Sequence, residues 1–171
     1  MKKVIIINGY AGVGKDTFSS ICSVYRRTMN YSSVDKIKEL ALLCGWDGIK
    51  DERGRKLLSD LKLSFSEYCD LPFRCMADKV KEFNSSDAEL LFLHIREPEE
   101  IVRAAREFNA ITLLIENPRV EQIISNTGDA NVHNLKYDCV ITNYGTIEDF
   151  HGLAKWFIEE LEKQDMQEVN K

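Results

Sequence analysis

Short apolar runs alternate along the chain with segments in which apolar residues recur every three or four positions. The runs are rich in leucine and β-branched residues, which is typical of strands buried on both faces of a sheet. They occupy residues 4–7, 90–95, 111–115 and 139–142. A weaker run at residues 31–34 predicts one further strand.

The intervening segments predict helices. Apolar residues at i, i+3, i+4 and i+7 form a single stripe in each of four sets, which begin at Phe18, Ile37, Ile101 and Ala154. Strands that alternate with helices predict an α/β protein with a parallel sheet covered on both faces.

Two stretches interrupt this alternation. Residues 46–88 carry apolar positions at helical spacing and predict a helical insertion between two strands. Residues 117–136 are polar and aperiodic, and a loop of that length in a compact domain usually has a function. An inert surface loop is the alternative. With no Gly- or Pro-rich linker, residues 1–171 are predicted to form one domain.

Composition narrows the function. The chain has 171 residues, of which 44% are hydrophobic, and a formal net charge of −5, which argues against nucleic-acid or membrane-surface binding. This net charge leaves room for a small basic pocket for phosphate. No apolar run approaches the ~20 residues that span a bilayer, so we expect a cytoplasmic protein. Five cysteines without a CxxC pair predict free thiols.

The segment after the first strand carries the clearest chemical signal. It fits the phosphate-binding pattern GxxxxGK and opens the first predicted helix. Glycines let successive backbone N–H groups turn toward phosphate oxygens, and the helix start adds its positive end. The segment therefore predicts ATP binding by Gly9, Tyr10, Ala11, Gly12, Val13, Gly14, Lys15, Asp16 and Thr17.

Asp16 stands where the pattern usually has the Ser or Thr that binds Mg²⁺. A carboxylate beside a triphosphate is repelled unless a cation lies between them. Either Asp16 contacts Mg²⁺, or it turns away and caps the helix. In both cases Thr17 is the hydroxyl that lies near the phosphates.

The pattern GxxGxGKDT resembles the nucleotide-kinase branch of the P-loop proteins that contains the deoxynucleoside monophosphate kinases, with adenylate kinases more distant. Three further patches are similar to that branch. They are Trp46 to Asp51 with Arg55, the strand end Ile95-Arg96 with Glu100, and the turn Asn143-Tyr144-Gly145-Thr146. At His94 the branch has an aspartate that provides a second Mg²⁺ anchor.

The resemblance implies a three-layer P-loop NTPase fold with strand order 2-3-1-4-5. It implies ATP- and Mg²⁺-dependent phosphoryl transfer to a small phosphorylated acceptor, a (deoxy)nucleoside monophosphate in the first place. Lys15 would hold the β- and γ-phosphates, Thr17 the α-phosphate and Asp16 the Mg²⁺. Asn143 and Gly145 would lie by the adenine.

The remaining predicted roles concern the acceptor and the loop. Arg55 and Arg96 would clamp the acceptor, and the loop at residues 117–136 would close as a lid that brings Arg119 to the transferring phosphate. Asp35 either orients the acceptor or serves as a helix N-terminal carboxylate. Two alternatives stay open: a kinase for a non-nucleotide phosphate ester or coenzyme precursor, and an ATP-binding regulator without turnover.

Overall fold

The computed structural model describes residues 1–120, 132 and 135–169, with side chains described up to residue 167. The helices and strands are, in chain order, β1 (Lys3–Asn8), α1 (Lys15–Tyr25), β2 (Thr28–Ser32), α2 (Asp35–Leu43), α3 (Glu52–Cys69), α4 (Leu71–Ser85), β3 (Leu90–His94), α5 (Pro98–Glu107), β4 (Ile111–Glu116), β5 (Cys139–Thr142) and α6 (Ile147–Val169).

The five strands form one parallel sheet in the order β2-β3-β1-β4-β5, which confirms the predicted topology. β1 lies at the centre, and its residues Ile5, Ile6 and Ile7 are fully buried. A strand buried on both faces needs no polar alternation, which explains its continuous apolar sequence.

Helices cover both faces of the sheet. On one face α1 and α6 pack through aromatic residues, with the Phe18 and Phe150 rings 5.4 Å apart. On the other face Phe73, Met76 and Phe83 of α4 pack beside α5. The predicted helical stripes supply both apolar layers, so the fold has three layers.

The second strand begins earlier than its sequence pattern predicts. β2 covers Thr28–Ser32, whereas the predicted run was residues 31–34, and Val34 is the N-cap of α2. As an edge strand, β2 pairs only with β3 and is half-exposed over most of its length. Its apolar pattern is therefore weak.

Helices α2, α3 and α4 occupy the chain between β2 and β3. The side chain of Asp51 caps α3 by accepting a hydrogen bond from the Gly54 N–H at 2.7 Å. A small separate core of Ile37, Ala41 and Leu58 joins α2 to α3. Within the described residues, no helix has the length and apolarity needed to cross a bilayer.

Candidate active site at the carboxyl edge of the sheet

The glycine loop joins the carboxyl end of β1 to the start of α1. Gly9, Gly12 and Gly14 have φ values of 141°, 80° and 109°, in the region that side chains rarely adopt. A Cβ at Gly9 would also collide with the carbonyl oxygen of Ile115. A Cβ at Gly14 would lie 2.9 Å from Nδ2 of Asn143. Glycine is therefore required both by conformation and by space.

This curled backbone leaves N–H groups for an anion. Within the described part of the chain, the N–H groups of Gly12, Gly14, Asp16 and Thr17 donate to no protein acceptor, and the first helical bond is Phe18 N–H to Gly14 O at 2.8 Å. Backbone N–H groups at a helix start favour a negatively charged ligand. The loop therefore has the backbone arrangement of a phosphate site.

Lys15 folds back over the beginning of the loop. Its Nζ donates to the carbonyl oxygens of Gly9 at 2.5 Å and Tyr10 at 2.7 Å. The ammonium group thus holds the two ends of the loop together and adds a full positive charge beside the N–H groups.

Asn143 braces the loop from β5. Its Nδ2 donates to the Val13 carbonyl oxygen at 3.1 Å, and its main-chain N–H donates to Glu116 O at 2.7 Å. In this structure the side chain predicted to lie by the adenine is bonded to the loop itself. Gly145 precedes the capping box of α6, in which Asp149 accepts from Thr146 N–H at 2.8 Å.

The sequence analysis missed a buried polar chain behind the loop. Asn8 is 1% exposed, accepts from the Gly9 N–H at 2.8 Å and donates through Nδ2 to the Tyr137 hydroxyl at 2.8 Å. That hydroxyl donates to Val132 O at 2.9 Å. These hydrogen bonds connect the start of the glycine loop to the end of the predicted lid. The polar Asn8 at the end of an apolar strand was its only signal in the sequence.

Asp16 does not cap α1 through its side chain. The helix has no side-chain cap at its N-terminus, and the Asp16 side chain is 96% exposed. Its Oδ1 lies 3.5 Å from Nδ1 of His94, at the end of β3. Burial lowers the pKa of His94; Asp16 opposes this shift, and Lys15 reinforces it. In this structure the described contact of the Asp16 side chain is therefore with His94.

The donor set fits a divalent cation that also takes phosphate oxygens as ligands. An exposed carboxylate next to Lys15 is a ligand suited to Mg²⁺, which is commonly held by one or two carboxylates and by substrate phosphates. Within the described residues no cluster of three or more His, Cys, Asp or Glu side chains could hold a metal by itself. A cation here would take its other ligands from phosphate and water.

The three residues predicted to bind the acceptor, Asp35, Arg55 and Arg96, differ in their hydrogen-bond partners and in their exposure. Asp35 accepts from the Ser32 N–H and from Lys38 Nζ, both at 2.7 Å, so it holds the β2–α2 turn. Arg55 is exposed and donates through Nε to Lys50 O at 2.9 Å. Arg96 follows β3 at the carboxyl edge of the sheet and is half-buried.

A further charged cluster lies on this side. Lys62 of α3 is 12% exposed and donates to Ser33 Oγ at 2.9 Å, Glu97 Oε2 at 2.5 Å and Glu100 Oε2 at 2.7 Å. Burial raises the pKa of Glu100 to about 7, although Lys62 opposes this shift. Burial also raises the pKa of Glu97, but the charge of Lys62 and the hydrogen bonds that Glu97 accepts together outweigh it, so the net shift of this pKa is downward.

The sequence contained little signal for this cluster. Its residues come from the end of β2, the middle of α3 and the start of α5, and only Glu100 was singled out, through the family resemblance. Glu97 and Glu100 have i, i+3 spacing at a helix start. The helix dipole alone favours carboxylates there, so this spacing does not predict a nearby cation. Tertiary structure brings Lys62 to them.

Arg119 lies by the turn that follows β5. Its Nη1 is 3.5 Å from the carbonyl oxygen of Gly145, and its N–H donates to Asn117 Oδ1 at 3.0 Å. These contacts bring together two residues predicted for the nucleotide site. Most of the predicted lid, residues 121–131 with 133 and 134, lies outside the described residues.

No protein-family model and no curated protein sequence matches the chain. Solved structures do match. TT1252 from Thermus thermophilus is 21% identical, with a TM-score of 0.55, 94% of this chain covered and 98% of that one. Shikimate kinase from Acinetobacter baumannii, in complex with shikimate, is 15% identical, with a TM-score of 0.50 and coverages of 96% and 95%. The sheet order and these matches show that the chain has the three-layer α/β fold of these proteins, one of which is a kinase.

Proposed function

We propose that this protein is an ATP-dependent phosphotransferase that acts on a small molecule. The observation that carries this proposal is the glycine loop, whose N–H groups at Gly12, Gly14, Asp16 and Thr17 have no described protein acceptor and lie beside the Lys15 ammonium. Phosphoryl transfer depends mainly on positioning and charge neutralisation, which such a loop supplies.

Each residue then has a role that its position supports. Lys15 and the loop N–H groups bind the β- and γ-phosphates, and Thr17 at the first turn of α1 contacts the α-phosphate. Asp16 holds Mg²⁺, which when bound neutralises charge on the phosphates. Arg119, which lies beside Gly145, marks the nucleoside side of the site. It reaches the transferring phosphate only when the lid closes.

Charges on the other side of the site favour a particular acceptor class. Asp35 at the start of α2 and Glu97 and Glu100 at the start of α5 supply carboxylates, and Lys38 and Lys62 are bonded to them. These carboxylates would repel a dianionic phosphate unless it displaced them from the lysines. Carboxylate and ammonium groups together suit hydroxyl groups, so we propose a hydroxylated, non-nucleotide acceptor. The shikimate-bound kinase of similar fold supports this choice.

A (deoxy)nucleoside monophosphate is the second candidate acceptor. The first turn of α3 carries the exposed side chains of Arg53 and Arg55 next to the Asp51 cap. Guanidinium groups are well suited to clamp a phosphate in two places. In this alternative, Arg55 would leave the Lys50 carbonyl oxygen to bind the acceptor phosphate.

The test is coupled ADP release with three acceptor panels: hydroxy acids, sugars, and phosphorylated acceptors, which include sugar phosphates and nucleoside monophosphates. We expect ADP release with an acceptor from the first two panels and a strongly reduced rate of release with Lys15→Ala. Turnover with nucleoside monophosphates alone would favour the second candidate. ATP binding in a thermal-shift assay without acceptor-dependent ADP release would contradict transfer and favour a non-catalytic regulator.

A further inference from the structure

His94 and Asp16 meet at the point where the phosphate-binding loop and β3 come together. Asp16 is the second residue of α1, and His94 is the last residue of β3. Their facing atoms, Asp16 Oδ1 and His94 Nδ1, are 3.5 Å apart. The histidine side chain is 16% exposed, whereas that of Asp16 is 96% exposed. The imidazole is therefore held in place while the carboxylate is accessible from solvent.

The contact made by the other ring nitrogen, Nε2, bears on whether Nδ1 carries a proton. His94 Nε2 lies 3.3 Å from Oδ1 of Asn30 in β2, and an amide oxygen can only accept. In the neutral tautomer that donates from Nε2 to Asn30, Nδ1 carries a lone pair. Two acceptors then face each other, an arrangement that a cation between them satisfies.

This arrangement is also the usual one around a metal-bound histidine. The second N–H of such a histidine is commonly held by an oxygen acceptor, which fixes the tautomer and the ring orientation. Two adjacent ligands about 2.1 Å from one ion lie roughly 3.0–3.4 Å apart. The 3.5 Å separation of Asp16 Oδ1 and His94 Nδ1 is close to that range.

We propose that Asp16 and His94 together bind a divalent transition-metal ion, such as Mn²⁺ or Co²⁺, in preference to Mg²⁺. The phosphate oxygens of the bound nucleotide and water complete its coordination. This inference rests on the proposed function, because the two side chains alone supply only two ligands.

The preference follows from ligand chemistry. Mg²⁺ takes oxygen ligands and keeps several of its waters, so an imidazole nitrogen adds little to its binding affinity. Transition ions accept imidazole nitrogen, and their affinity for a mixed nitrogen and oxygen site rises from Mn²⁺ to Co²⁺. His94 stands where the resembling kinases have an aspartate, so one side chain replaces an oxygen ligand by a nitrogen ligand.

Pulsed electron paramagnetic resonance of Mn²⁺ tests the contact directly. The protein is labelled uniformly with ¹⁵N, the ADP is unlabelled, and one equivalent of Mn²⁺ is added to the complex. We expect the hyperfine coupling of one directly bonded ¹⁵N nucleus, and we expect it to be absent in His94→Gln. Nucleotide-bound Mn²⁺ without ¹⁵N coupling in the parent protein would overturn the proposal and leave a direct His94–Asp16 ion pair.

Metal affinities of the ADP complex provide a second readout. The ratio of Mn²⁺ to Mg²⁺ affinity should exceed that of free ADP about tenfold, and His94→Gln should return it to the value of free ADP. His94→Asp should shift the preference toward Mg²⁺, since it restores an oxygen ligand. Equal ratios in all three proteins would overturn the proposal.

Matched carboxylate variants complete the design. Asp16→Asn should weaken Mn²⁺ binding, whereas Asp60→Asn, which removes an exposed carboxylate of α3, should leave it unchanged. Equal effects of the two variants would contradict the assignment of Asp16.

Calorimetry of ADP binding without metal separates failure of the proposed function from failure of the metal assignment. If ADP does not bind at all, the proposed function fails; if it binds and the nitrogen coupling is absent, only the metal assignment fails.

Discussion

The two halves of the candidate active site are built by different means. On the nucleotide side, one continuous segment of nine residues, Gly9 to Thr17, supplies N–H groups, glycine turns and the Lys15 ammonium. On the acceptor side, the charged cluster of Ser33, Lys62, Glu97 and Glu100 comes from three separate segments.

The difference lies in what each half requires of the fold. A phosphate site made from backbone N–H groups needs glycine conformations and a helix start, which neighbouring residues determine. A side-chain cluster needs helices to be placed correctly relative to the sheet. We therefore expect mutations in the glycine loop to affect ATP binding, and mutations in the cluster to affect stability and acceptor binding.

The largest effect is expected for Lys15→Ala. Removing the charge beside the phosphates should lower kcat/KM at least 10²- to 10³-fold, which is the loss seen when one charge-stabilising group is removed. ATP should no longer raise the melting temperature, which is compared with and without ATP for each variant because loss of the Lys15 hydrogen bonds to Gly9 and Tyr10 lowers the starting value. Lys56→Ala, which breaks an exposed ion pair with Asp60, is the control. Undiminished protection by ATP in Lys15→Ala would refute the role of this lysine.

Gly9→Ala tests the nucleotide side of the site, which is built mainly from backbone groups. A side chain here meets both an unfavourable φ of 141° and the carbonyl oxygen of Ile115, so unfolding free energy should fall by about 2–3 kcal/mol. Gly152→Ala in α6 is the matched control. Its Cβ meets no atom within 4 Å, and alanine favours a helix by about 0.5–1 kcal/mol. Urea unfolding measures both, and equal effects would argue against strain at Gly9.

Lys62→Met tests the acceptor side of the site, which is built from the charged cluster of side chains. It leaves Glu97 and Glu100 facing each other without their shared cation, so unfolding free energy should fall by about 2 kcal/mol. ATP should still raise the melting temperature by as much as in the parent protein. If ATP protection were lost along with stability, the two halves would not be separable as proposed.

Glu100→Gln should change the pH dependence of stability. The pKa of Glu100 is raised in the folded protein to about 7, above that of the unfolded chain, so the folded state binds more protons between these values. This contribution is fully present below the unfolded pKa and is lost as pH rises from that value through the folded pKa of about 7. The expected loss is on the order of 1 kcal/mol.

Denaturant unfolding at pH 5 and pH 7.5 measures this slope. The stability loss between the two values should be smaller in Glu100→Gln than in the parent protein. Glu99→Gln, an exposed neighbour on α5, should keep the parent slope. An unchanged slope in Glu100→Gln would contradict the elevated pKa.

The sequence pattern predicted the central strands and the helices that cover them, and the family resemblance implied the order of the sheet. β1 and β3 are buried on both faces, so their composition alone marks them. It placed β2 too late, because the edge strand is only half buried. It also left two roles open for Asp35, which in the structure bonds to Ser32 and Lys38.

The amino-acid sequence by itself determined the glycine loop, since turns, N–H groups and the charge of Lys15 depend on residues within one short segment. Only the tertiary structure decided which distant side chains meet that loop. His94 reaches Asp16 and Asn143 reaches Val13 because parallel strands end at one edge of the sheet. Lys62 reaches Glu100 because the fold places the middle of α3 beside the start of α5. The spacing of residues along the chain does not encode those distances, whereas the packing of helices on the sheet sets them.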